Sequence, residues 1–200
     1  MLERTLRLAL RNYVTLFLFV ACVTISIHLV YLFLFRDVVG VSELHAAIDE
    51  FPPQRQVRGV GHRDLDAWRV GNGVVTLIEI ALVPFLAKGA ARVVEQDEAD
   101  ALPTVTAALA ATAKRGYKWF PSPREAGPLL VCSAIGLAVW WFVHRTGLLL
   151  VEPVGPDGRW AAVALVEGSA RAAAAPFVLV SVVLRKSRPK ADQVFTPNPY

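Results

Sequence analysis

Within long apolar runs of this chain stand the ionisable residues His28, Glu79, His144, Arg145, Glu167 and Arg171. Near the middle of a bilayer each charged group costs roughly 2.5–3.5 kcal/mol, so such groups face the interior of a helix bundle and pair. Two chemistries follow from these residue types. Carboxylates matched by guanidiniums form ion pairs that fasten helices together, whereas a carboxylate in excess, with imidazole nearby, handles protons or cations. Glu167 and Arg171 stand four residues apart in the order that favours an ion pair on one helix face. Two carboxylates against the guanidiniums of Arg145 and Arg171 close the charge. The expectation is a buried structural cluster of Glu79, Arg145 and Glu167, with His28 or His144 adjoining and Arg171 one turn deeper. A solute- or proton-handling site, or a contact with a partner protein's helix, is the alternative.

The elements that must position these residues are four apolar stretches, at about 13–35, 72–94, 128–151 and 161–184. Each is long enough for a helix to cross ~30 Å of hydrocarbon. The chain is 54% apolar with a mean hydropathy of +0.45. With so much of it in the spans, little remains for a soluble core. The sequence therefore predicts an all-α integral membrane bundle of four transmembrane helices with short interfacial helices, as a single membrane domain over 1–200. The outer loop is 36–71, the inner loop 95–127 and the cytoplasmic tail 185–200. Counting along the helices sets His28, Glu79, Arg145 and Glu167 at one level, roughly 9–11 Å below the outer boundary. The run at 161–184 inserts least readily, because Glu167 and Arg171 oppose it. Its small-residue face of Ala164, Gly168 and Ala172 predicts close packing on a neighbour.

Thirteen of the 21 Lys and Arg residues gather at the N-terminus, the 95–127 loop with the adjoining end of the second span, and the tail. The positive-inside rule then makes both termini cytoplasmic, in a bacterial plasma membrane, with the first segment a retained anchor and not a cleaved signal. A basic inner face suits anionic lipid headgroups. Cys22 and Cys132 fall at different depths, which argues against a disulfide and for apolar packing.

The connecting segments hold weaker signals. Ser42 can cap a short interfacial helix to about Phe51, ended by Pro52-Pro53. His62-Arg63-Asp64-Leu65 matches a protein-kinase catalytic loop by chance, since no phosphate-binding loop accompanies it. His45, Asp49 and His62 have a spacing that fits no recognised metal site. In the inner loop an acidic patch, Glu95, Asp97, Glu98 and Asp100, precedes a helix opened by Pro103 and closed by Gly116 after Arg115. Leu102, Val105 and Leu109 form its apolar stripe. Lys114, Arg115, Tyr117, Lys118, Trp119 and Phe120 then interleave bases with aromatics. Such a pattern can bind nucleic acid, but beside a span it reads as the aromatic belt and snorkelling cations of the inner interface.

Two further stretches carry a family resemblance. One runs from Lys88-Gly89-Ala90-Ala91-Arg92 to Ala113-Lys114-Arg115; the other is Leu150-Val151-Glu152-Pro153-Val154-Gly155-Pro156 followed by Leu165 to Arg171. With these the chain resembles multi-pass bacterial membrane proteins of unassigned function, including the membrane domain accompanying some glycerophosphodiester phosphodiesterases. The resemblance covers under half the chain. That domain usually has six spans against four here, these 200 residues hold no phosphodiesterase domain, and no catalytic residue carries over. It also raises the alternative of 161–172 as an interfacial helix.

No nucleophile and base converge in the sequence, and nothing calls for a cofactor or metal. The expectation is a structural or accessory membrane protein, not an enzyme, acting through a partner membrane protein or as a homo-oligomer. The alternative is a small oligomeric transporter or channel-like protein that uses the Glu/Arg/His cluster.

Overall fold

In the computed structural model, residues 2–36, 62–113 and 126–186 are described, and every regular element among them is helical. The helices are α1 (Leu2–Arg11), α2 (Tyr13–Leu34), α3 (His62–Glu98), α4 (Val105–Thr112), α5 (Ala126–Val151) and α6 (Pro156–Lys186). Four of them, α2, α3, α5 and α6, are long and apolar enough to cross a membrane. The expected spans thus form, with α3 and α6 longer than their apolar runs. At 37 residues α3 extends about 55 Å, well beyond the hydrocarbon thickness. The alternative of a separate interfacial helix at 161–172 does not occur, since one helix runs through that segment. The outer-loop helix at 42–51, His45 and Asp49, the side chain of His62, the belt from Lys114 to Phe120 and the tail from 187 lie outside the described residues.

The N-terminal segment folds as the separate amphipathic helix α1. Thr5, Leu8 and Ala9 are buried, while Arg4 and Arg7 face outward. Asn12 breaks it from α2 with φ −102° and ψ 14°, and its side-chain amide donates to the Leu8 carbonyl at 3.1 Å. The acidic patch at the end of α3 is where α1 is held: Arg4 pairs with Glu98 at 2.5 Å and Arg11 with the buried Asp97 at 2.9 Å. The start of α2 and the ends of α3 and α6 therefore share one end of the bundle, called proximal here. There Leu8, Leu16, Phe19, Val93 and Val180 form one apolar cluster with neighbours. A second, distal cluster contains Tyr31, Leu32, Val75, Val151, Val163 and Ala164.

α3 ends in a tight reversal. Asp100 takes a left-handed φ of 54°, the Ala101 N–H reaches the Gln96 carbonyl at 2.9 Å, and the Asp100 N–H reaches that of Asp97 at 3.2 Å. These are the paired bonds of a helix cap that favours glycine at the left-handed position. Asp100→Gly is expected to stabilise the fold by about 1 kcal/mol, since a residue with a Cβ is strained there. Thermal unfolding in detergent checks this, and an unchanged or lower midpoint would contradict it.

Two details of the inner loop correct the sequence reading. α4 begins at Val105, not at Pro103, because Thr104 is its N-cap and accepts from the Ala107 N–H at 3.3 Å. It ends at Thr112, before Arg115. Leu102 is 88% exposed and takes no part in the apolar face, which consists of Val105, Ala108 and Leu109.

α6 is the centre of the bundle. It packs most extensively on α2 and α5, and also touches α3 and α1. Over its apolar window 56% of the residues are buried, against 11% for α5. Small residues make this possible. Ala164 and Ala172 are fully buried, and a Cβ added at Gly168 would lie 2.6 Å from the Ile25 Cα of α2. The predicted small-residue face is thus the α2–α6 seam, and the helix that inserts least readily alone is the one most enclosed by others. Neither cysteine is in a disulfide; Cys132 is buried, whereas Cys22 faces outward, contrary to the expectation of apolar packing at both.

Candidate functional site

Between the two apolar clusters lies a polar layer to which four helices contribute. Arg171 of α6 is its hub. Its Nε donates to Glu79 Oε2 of α3 at 2.9 Å, and its Nη1 donates to Glu167 Oε2 one turn away on α6. Glu167 Oε1 accepts from His144 Nε2 of α5 at 2.9 Å. Each Glu167 oxygen thus has its own donor. On the far side of Arg171, His28 Nδ1 of α2 lies 3.7 Å from Glu79 Oε1. The same Nδ1 is 2.9 Å from the Thr24 carbonyl, so it carries a hydrogen and donates there. The layer reads His144–Glu167–Arg171–Glu79–His28 across the bundle, linking α5, α6, α3 and α2.

Local structure accounts for each placement. Glu167 precedes Arg171 by four residues, so the pair forms on one helix face. Their exposures of 23% and 22%, with 19% for Glu79, put the charges inside the bundle but near its surface. His28 is 2% exposed. His144 stacks on Trp140, one turn earlier on α5, with ring centroids 5.1 Å apart and planes at 16°. Thr24 is the hinge of the α2–α6 contact, its hydroxyl 2.9 Å from the Gly168 carbonyl and 3.1 Å from that of Val20.

The structure brings together five of the six expected residues. Arg145 is the correction: it lies on the exposed side of α5 and not in the buried layer. Its neighbour His144 faces α6 instead, because residues one apart on a helix point about 100° from each other. The charge balance changes with it. The layer holds two carboxylates and one guanidinium, not two of each. Two of its atoms, His28 Nε2 and Glu79 Oε1, are buried and have no hydrogen-bond partner among the described residues.

Sequence reasoning did not single out Thr24, Trp140 or the arginines of α1 against Asp97 and Glu98. The first two had a signal, since each stands four residues before a histidine within a span. The third had none, because it joins residues more than eighty positions apart. Among the described residues no three His, Cys, Asp or Glu side chains are placed to hold a metal ion. Comparison of the chain with family models, curated proteins and solved structures finds no match.

Proposed function

We propose that this chain is a multi-pass protein of the bacterial plasma membrane, with both termini cytoplasmic, that acts as a structural or accessory component through partner proteins. The supporting observation is that one guanidinium, that of Arg171, holds two carboxylates from different helices, Glu79 and Glu167. Groups so engaged fasten a bundle; they are not disposed to attack a substrate. Anionic lipids gather at the basic inner face, where each well-placed Lys or Arg contributes ~1 kcal/mol. Nucleic acid, catalysis and a cofactor have no place in this reading.

Affinity purification of the full chain in mild detergent tests it. The expected result is a second membrane protein, or further copies of this chain, recovered in fixed ratio. A solitary monomer that conducts ions in liposomes would overturn the proposal. So would labelling that puts the two chain ends on opposite faces.

A second reading, a small oligomeric transporter or channel-like protein, is favoured by one observation: the layer's carboxylates outnumber its guanidinium. Four helices rarely enclose a pathway alone, so this reading requires oligomers. Ion flux in proteoliposomes that disappears in Glu79→Gln, with oligomer retained, is its expected signature.

A further inference from the structure

We propose that the buried layer binds one proton per chain, carried on His144 against Glu167, and that this proton balances the second carboxylate. Glu79 and Glu167 supply two negative charges, and Arg171 supplies one positive charge that it cannot give up. Among the described residues, the clusters on either side are built from apolar side chains. An uncompensated charge at this depth is what insertion penalises, and a proton is the smallest group that removes it.

Of the two imidazoles in the layer, His144 is the better seat. Its Nε2–H already donates to Glu167 Oε1 at 2.9 Å, and protonation turns this into a charge-assisted bond. Its ring lies flat against Trp140, whose π face attracts a cation. His28 is the poorer seat. Its Nδ1–H is taken by the Thr24 carbonyl, and a proton added at the buried Nε2 would be a donor facing no acceptor. The charged groups around His144 are Glu167 and Arg171 on α6 and, adjacent on α5, the exposed Arg145. Glu79 on α3 and His28 on α2 stand beyond Arg171, which separates the two imidazole–carboxylate pairs and cannot pass a proton between them.

This names the ion for the transport reading of the same site. It is an equilibrium property, so it stands or fails separately from the flux assay. The test is imidazole nitrogen NMR of the full chain, labelled at histidine, in nanodiscs of neutral lipid at pH 7. His144 is identified as the signal missing from His144→Gln. The expected wild-type spectrum shows His144 as the doubly protonated cation. Glu79→Gln, which does not touch His144, is expected to return it to the neutral form, because one carboxylate and one guanidinium then balance. Exchanging potassium for sodium or choline is expected to change neither spectrum. A neutral His144 in the wild type overturns the proposal, as does a cationic His144 that persists in Glu79→Gln or a response specific to one metal cation. The wild-type spectrum decides by itself if Glu79→Gln does not fold.

Discussion

Arg171→Gln is expected to lose about 3–5 kcal/mol of bundle stability, the cost typical of removing one partner from a buried ion pair. Glutamine can donate to one carboxylate but neutralises neither, so Glu79 and Glu167 would lose the guanidinium they share across facing helices. Arg171→Lys is expected to recover only part of the loss. The guanidinium serves the two carboxylates from different nitrogens, Nε and Nη1, whereas an ammonium is a single point charge. The measurement is folded yield and unfolding midpoint in a fixed detergent. Adding Glu79→Gln and Glu167→Gln to Arg171→Gln should restore much of the lost stability, because the neutral set leaves no charge to insert. Additive losses in that series would show that Arg171 acts by packing alone.

The second large effect is expected at Gly168. An added Cβ would meet the Ile25 Cα at 2.6 Å and its N at 2.8 Å, and backbone cannot swing aside as a side chain does. α2 and α6 must separate, which draws the Thr24 hydroxyl from the Gly168 carbonyl. Gly168→Ala is expected to cost about 1–3 kcal/mol, and Gly168→Val more. Gly73 supplies the control, since a Cβ there meets nothing within 4 Å. Gly73→Ala should be neutral or stabilising by about 0.5–1 kcal/mol, as expected for glycine replaced within a helix. Equal midpoints for the alanine variants at 73 and 168 would contradict the close crossing.

The parts of this architecture that could be read beforehand rest on short-range rules. Apolar length locates the spans, and the ends of α2 and α5 fall within about two residues of the predicted positions, because hydrocarbon thickness bounds both. The Glu167–Arg171 pair and the Ala164–Gly168–Ala172 face follow from helical spacing alone. Arg145 shows where this stops. Depth along a span is legible to about a turn, but which of two adjacent residues faces inward depends on how the helix is rotated against its neighbours. His144 and Arg145 are one residue apart and differ in this respect, and the charge of the layer changes with the choice. The clasp between α1 and the end of α3 is illegible for another reason. A short basic helix and a distant acidic patch each read as solvated, and only the return of α3 to the same end of the bundle places Arg11 on Asp97.

The central position of α6 bears on how the protein is made. Among the described helices it is the last to leave the ribosome, yet it supplies Glu167, Arg171 and the glycine crossing on which α2 closes. Until it emerges, Glu79 waits in the nascent chain without the guanidinium that pairs with it. Synthesis interrupted before residue 171 would leave three inserted segments with a stranded carboxylate, a species suited to recognition by quality-control proteases. Assembly of this bundle is thus tied to the synthesis of α6.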